Sequence, residues 1–474
     1  MREKGILNRL AAKLPFANRD GVHRALWHRA YPALVCLVVL FGHILSCEMA
    51  AASLVVCLAS AALFATDSIL PVICPVLTLV FTLSRSHTPG LPAFSSYLFS
   101  DGRAAILALL SLAFAISVLR VLLLKLRRGA SWDRSVYLPL LVLSLAFVLN
   151  GAFSVVWSAH SLVFGLCEAV VYLLPSFIFS VGLSGECPDM TADYFAYIST
   201  LCVLLLSFEV LWLYIGPDSP VVGGEVVKSM IVFGWGIWTS AGAAIAVLIP
   251  AVFVGVVRAK HPYPYLSVAT LALAAIYATH SRGALLFGLV AYLASLVFAA
   301  RLGRAKRSCR VILAAVAVLA VGFVAARWHS LPELIRAFLS DNGRFRLWRL
   351  GISEFLSSPV FGVGFFGFEY PEGEGYFTGA DFLPPMMHST PVQLLSTMGV
   401  FGTVAYAFYR VSTLRPVLRD PSRVRLLVFF SAATMLLLSL VENYVFQFWP
   451  TLHYSVAIAV SGMPREKKLK YANK

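Results

Sequence analysis

The sequence predicts an all-α fold: a polytopic integral membrane bundle of about 12–14 spanning helices, with one long extracytoplasmic loop that carries amphipathic helices. Three observations predict it. Of the 474 residues, 59% are hydrophobic and only 13% charged, against roughly half and about a quarter in soluble domains. The apolar residues fall in runs of spanning length that begin near Tyr31 and recur to the end of the chain. The positive charges, which leave a net charge of +15, sit in short segments between those runs. That arrangement encodes orientation in a bilayer and is not the footprint of a nucleic-acid binder.

Fourteen runs can be drawn, at about 31–46, 48–66, 68–83, 104–124, 136–156, 160–183, 194–215, 230–257, 263–279, 283–300, 311–326, 391–409, 426–441 and 450–463. The third and the fourteenth are the weakest, so twelve is the other reading. With the N-terminal tail inside, the inner segments 1–30, 125–135, 258–262, 301–310, 410–425 and 464–474 hold 28 of the 38 Lys and Arg residues. Both termini are basic and share the cytoplasmic side, which requires an even number of spans. Segment 184–193, with Glu186, Asp189 and Asp193, is inner by this count yet acidic. The chain divides into a basic tail (1–30), helices (31–326), a large outer loop (327–390), further helices (391–463) and a second basic tail (464–474).

The eight cysteines lie mostly within apolar runs and show no CxxC or metal-ligand spacing, so neither a disulfide framework nor a zinc site is expected. The polar stretch before the first run is too long for a cleavable signal peptide.

Loop 327–390 stands apart in a chain of short loops. It holds five Arg, seven acidic residues and many aromatics, and long loops are where binding or chemistry concentrates. Ser340, Asp341 and Asn342 can cap a helix starting near Arg344. In RFRLWRLGISEFLSS, Phe345, Trp348, Ile352, Phe355 and Leu356 share one helical face, with Arg346 and Arg349 toward another. This reads as an amphipathic helix in the membrane surface, whose arginines either snorkel to lipid phosphates or bind substrate. Pro359 ends the helix, and GVGFFGF follows as a glycine-rich loop whose backbone can approach a ligand. Glu369, Glu372, Glu374 and Asp381 have no fixed ligand spacing and read as a solvated acidic loop; no metal is assigned.

Further candidates point to the same face. Arg282 sits between two spans at their predicted outer ends. Glu168 and Glu209 fall in the outer halves of spans, where a carboxylate faces a partner or a polar cavity and is a candidate substrate contact. His388, at the mouth of the run MMHSTPVQLLSTMGVFG, is a solvated helix end, a structural polar contact or a catalytic group. Arginines bind phosphate oxygens through paired N–H donors, and histidine can take a proton near neutrality. The residues alone therefore give an outward-facing anion site of unspecified chemistry.

The motifs resemble a known family. His388-Ser389, nine residues, then Gly399-x-x-Gly402 resembles the histidine motif of the O-antigen ligase and polymerase superfamily. Ser281-Arg282-Gly283 is similar to that family's S-R-G. Arg344, then Trp348, then Pro359 to Gly364 resembles its R…W…P-x-x-G-V-G segment. The resemblance covers roughly 230–445. Ser389 and His280 depart from the residues common in relatives at those places.

The resemblance implies a GT-C-like membrane glycosyltransferase of the bacterial cytoplasmic membrane. Its donor would be a polyprenyl-pyrophosphate-linked glycan, its acceptor a glycan or lipid-linked glycan hydroxyl, and it would need no metal and no other cofactor. It implies catalytic roles for His388, Arg282 and Arg344, with Arg346 as the substitute for Arg344. A ligase, a repeat-unit polymerase, a transporter of the same lipid-linked glycan and a structural envelope partner remain as readings.

Overall fold

A computed structural model describes residues 30–79, 103–130, 132–153, 159–216, 219–233, 236–339, 343–367, 386–419 and 423–462. Residues 1–29, the tail 464–474, the caps Ser340, Asp341 and Asn342, and the acidic residues Glu369, Glu372, Glu374 and Asp381 lie outside the described residues.

Each of the fourteen apolar runs holds a helix. The first seven are α1 (Ala30–Ile44), α2 (Glu48–Ala65), α3 (Leu70–Leu79), α4 (Arg103–Arg127), α5 (Arg134–Phe153), α6 (Ala159–Gly182) and α7 (Pro188–Ile215). Two small antiparallel ribbons follow, β1 (Val221–Val222) with β2 (Glu225–Val226), and β3 (Val232–Phe233) with β4 (Gly236–Ile237). Then come α8 (Trp238–Arg258), α9 (Tyr263–Ala278), α10 (Arg282–Leu302) and α11 (Lys306–Ala326). The long loop contributes α12 (Leu331–Leu339) and α13 (Arg344–Ser357), and the chain closes with α14 (Thr390–Arg419), α15 (Arg423–Leu438) and α16 (Phe448–Gly462). Among the described residues, nine helices are long and apolar enough to cross a membrane. The protein is a polytopic helical membrane protein.

Two helices fall well short of their runs, whereas α7, α11 and α14 overrun theirs. The run at 230–257 begins as the β3–β4 ribbon, and its helix starts only at Trp238. The run at 68–83 holds a helix of ten residues, Leu70–Leu79, within the described residues.

Helix α8 is the axis of the bundle. It packs against α7, α9, α10 and α15, and its spanning window is wholly buried. Its small residues allow this. A Cβ on Gly242 would lie 2.9 Å from Cβ of Ala284, and one on Gly288 would lie 3.1 Å from Cβ of Ala246. Small residues four apart on both helices let their backbones close on each other, which drives packing where the hydrophobic effect cannot.

The acidic inner segment finds its explanation at one end of this bundle. Arg258 at the end of α8 bonds Asp193 at 2.7 Å and Asp189 at 3.1 Å. Lys125 bonds Glu186 at 2.8 Å, and Asp67 lies 2.6 Å from Arg128 and 3.6 Å from Arg120. The carboxylates of 184–193 thus neutralise cations at the same end of the bundle. The sign mismatch is a set of ion pairs.

The long loop returns to the bundle through an exchange of backbone hydrogen bonds. Helix α14 is broken at Gly399, whose φ of 61° and ψ of −160° suit glycine. Across the break, Val400 and Phe401 donate to the carbonyls of Pro359 and Val360 instead of to the preceding turn. In return, Val363 and Gly364 donate to Ser396 and Thr397, the two carbonyls left vacant. Asn150 of α5 adds bonds from its Nδ2 to Thr397 O (2.8 Å) and Phe361 O (2.9 Å). Polar backbone inside a membrane protein must be paired internally, and here the pairing is one for one. Phe365, fully buried, then anchors the loop against Phe147, Phe164 and Phe446. The glycine-rich segment was expected to offer its backbone to a ligand; its backbone is spent on α14.

This pairing predicts which substitutions break the fold. A Cβ on Gly399 would sit 2.5 Å from the carbonyl carbon of Val360, on backbone strained by about 1–3 kcal/mol for any other residue. Gly399→Ala should lower the melting temperature in detergent. Asn150→Ala should lower it by removing the donor to Phe361 O, at a cost of about 1–3 kcal/mol, while Thr397 O keeps the Gly364 N–H. Wild-type melting of both variants would refute the account.

Candidate functional site

The site forms where α13, the start of α14 and the turn between α15 and α16 meet. Thr390, the first residue of α14, organises it. Its N–H donates to Ser439 O (2.8 Å) and Glu442 O (3.1 Å). Its hydroxyl donates to Glu442 O and accepts from the Tyr444 N–H at 2.9 Å. One turn on, Gln393 Oε1 accepts from the Met387 N–H at 2.8 Å and from Asn443 Nδ2 at 3.2 Å. Turn 439–444 is thereby tied to the chain on both sides of His388. His388 itself takes a left-handed backbone, φ 49°, between the buried residues Met387 and Ser389.

Helix α13 lies against α14. Leu347 is buried, and Gly351 lets Val392 approach so closely that a Cβ would lie 2.6 Å from it. This docking carries Arg344, at the start of α13, to the same turn. Glu442 then bridges two functional groups. Its Oε1 accepts from Arg344 Nη2 at 2.8 Å, and its Oε2 lies 3.4 Å from His388 Nδ1. The carboxylate side chain is 12% exposed, whereas Arg344 and His388 are 33% and 38% exposed. The acid is inside and both partners face outward.

Chemically, this arrangement does two things. A carboxylate on Nδ1 favours the tautomer with its proton there, leaving Nε2 as the lone pair that can accept a proton. Arg344 has five N–H donors, and Glu442 engages Nη2, so the guanidinium retains donors for an anion.

The corner that carries Arg282, at the start of α10, lies against the same turn. Ser281 caps that helix, accepting from the Ala284 N–H at 3.4 Å. Gly283 sits against Val441, where a Cβ would meet Cγ2 at 3.0 Å. Thus the S-R-G corner and Glu442 are neighbours through Val441. His280, with φ 53°, stands just before this corner. Burial, and then the charge of Lys228, hold its imidazole below the usual histidine range.

The structure sets the remaining candidates apart. Arg346 and Arg349 are exposed on α13, on faces other than the one carrying Leu347 and Gly351 into the bundle. Phe345, Ile352 and Leu356 are exposed too, so the apolar face of this helix points away from the protein, as a helix in the membrane surface would require. Glu168 and Glu209 are buried in α6 and α7, two helices that contribute no residue to the Arg344–Glu442–His388 contacts.

Sequence reasoning missed Glu442. It lies in SLVENYVFQFWP, between two apolar runs at a turn on the outer side of the charge count. A lone acid in a short outer turn was the available signal. Tyr444, two residues on, is buried, and burial followed by the charge of Glu442 pushes its phenol well above the usual range.

A family model described as O-antigen ligase matches residues 266–407, which include Arg282, Arg344, Arg346, Arg349 and His388 but not Glu442, Glu168 or Glu209. No curated protein matches the chain. The matched region runs from α9 into α14, through both corners that meet at turn 439–444. Over that region, which is set in a helical membrane fold, the chain is similar to the O-antigen ligase family.

Proposed function

We propose that this protein transfers a glycan from a polyprenyl-pyrophosphate carrier to a hydroxyl acceptor at the outer face of the bacterial cytoplasmic membrane. The observation that carries the reading is the bridge of Glu442 between Arg344 and His388, beside the Arg282 corner.

In this reaction the acceptor hydroxyl gives its proton to Nε2 of His388 as its oxygen attacks the anomeric carbon. The bond from that carbon to the pyrophosphate breaks, and its electron pair stays on the phosphate oxygen. Negative charge therefore grows on the leaving group. Fixed guanidinium groups of Arg344 and Arg282 stabilise it more in the transition state than in the ground state. One attack on one carbon gives inversion of configuration. Glu442 acts as a positioning residue: it holds the imidazole tautomer and keeps Arg344 beside it. Arg346 and Arg349, exposed on the same helix, extend the positive surface toward the donor phosphates or the lipid. Glu168 and Glu209 are assigned to the interior of the bundle rather than to first contact with substrate.

The chemistry is the same whether the acceptor is another glycan or a lipid-linked repeat unit, so ligase and polymerase share this mechanism. A transporter of the lipid-linked glycan is less well supported. Transporters use a broken helix to bind cargo with freed backbone groups, but the groups freed at Gly399 are taken by residues 359–364 and Asn150.

Purified protein with a polyprenyl-pyrophosphate glycan donor tests this. His388→Ala should leave donor binding largely intact and reduce transfer by about 10²–10⁴-fold, the usual worth of general base catalysis; transfer at the wild-type rate would remove His388 from the reaction. Arg344→Lys and Arg282→Lys should weaken donor use, since a point charge does not reproduce a two-pronged contact. Unchanged donor affinity and turnover in both would exclude them. Glu442→Gln should lower kcat by roughly 10²-fold or more with little change in donor KM. A change confined to KM would make Glu442 a binding residue instead.

A further inference from the structure

At the opposite end of α14 a second groove opens between two helices. This open groove of about 320 Å³ lies between the start of α5 and the last turns of α14, and is lined by Arg134, Ser135, Leu138, Pro139, Phe408, Ser412 and Arg415. Arg134 and Arg415 are exposed, and among the described residues neither has an ion-pair partner. Four other cations of that end, Arg120, Lys125, Arg128 and Arg258, bond carboxylates. The nearby acid, Asp133, is turned to the α5 backbone, accepting from the Ser135 N–H at 2.9 Å. Two arginines and two serines therefore line one cavity, and none of its described lining residues is acidic. Leu138 and Phe408, on its wall, are 41% and 43% exposed.

We propose that this groove binds the phosphate diester of an anionic phospholipid, in the leaflet opposite the candidate active site. Arg134 and Arg415 would hold the phosphate, Ser135 and Ser412 would donate to its oxygens, and an acyl chain would lie over Leu138 and Phe408. Basic pockets between helices at the cytoplasmic side recognise lipid head groups in this way, and the charge count puts this end in the cytosol. A phospholipid fits better than a soluble anion, because the apolar wall lies beside the charges and is open. From Thr390 to Arg415 the helix rise gives about 37 Å, so the groove is separate from the site at His388.

The placement also gives the lipid a structural task. Helices α5 and α14 are joined near the site by Asn150, which bonds Thr397 O and Phe361 O. At their other ends the groove separates them. A phosphate bridging Arg134 to Arg415 closes that gap and supports the helix pair on which the break at Gly399 rests.

The test uses full-length protein in nanodiscs of phosphatidylcholine alone and of phosphatidylcholine with phosphatidylglycerol, reading melting temperature, with native mass spectrometry counting retained lipid. Phosphatidylglycerol should raise the melting temperature of the wild type and stay bound. Arg134→Gln/Arg415→Gln should lose that shift and bind phosphatidylglycerol roughly tenfold more weakly or worse, each charge near the surface being worth about a factor of five. The lysine pair, Arg134→Lys/Arg415→Lys, should retain most of it, which separates charge from misfolding. An undiminished shift in the glutamine pair overturns the proposal. So does an equal shift from inorganic phosphate in phosphatidylcholine discs, which would mean a soluble-anion site.

Discussion

A helix that breaks inside a membrane protein leaves N–H and C=O groups that lipid cannot satisfy, and the structure around the candidate site follows from how that debt is settled at Gly399. Val400 and Phe401 turn to the carbonyls of Pro359 and Val360, while Val363 and Gly364 take the carbonyls of Ser396 and Thr397. Each lost bond is replaced by one from the same short segment. The exchange allows little latitude in register, because a shift by one residue would leave donors and acceptors unpaired in a water-poor interior. Where residues 359–364 must lie, helix α13 immediately before them must lie too. Its Gly351 then falls against Val392, and Arg344 comes to the turn that holds Glu442. The geometry of a polar site is thus a consequence of backbone accounting some three turns away.

Electrostatics complete the site. Arginine and histidine side by side at a surface would repel when both are charged, and each would be free to turn toward solvent. One carboxylate, 12% exposed, restrains both, because an enclosed carboxylate interacts more strongly than a surface one. It also gives the imidazole a preferred direction. Thr390 and Gln393 are as necessary as the charged groups, since their hydrogen bonds hold turn 439–444 against the start of α14. These are neutral residues that a search for chemistry passes over.

The two ends of the bundle use charge differently. Near Arg258, Lys125 and Arg128, cations are paired with Asp193, Glu186 and Asp67. Near His388 the exposed Arg346 and Arg349 accompany a partly open cluster.

The sequence by itself determined the fold class, because spanning length and charge-poor composition are one-dimensional properties that a bilayer reads directly. It also marked the segments that resemble family motifs: Ser281-Arg282-Gly283, the helix from Arg344 and the histidine motif ending at Gly399 and Gly402 all lie in the matched region 266–407. It marked Gly399 as special without revealing a helix break there, since a glycine pair fits a close approach as well as a break. What only the tertiary structure decided is partnership. Glu442 stands 98 residues from Arg344 and 54 from His388, and no local pattern links positions so far apart. The same holds for Asn150 with Thr397, and for the acids at 186–193, whose sign opposed the charge count until Lys125 and Arg258 were found beside them. Periodicity and composition act along the chain; pairing of charges and of backbone groups acts across it, and only folding brings those partners within reach.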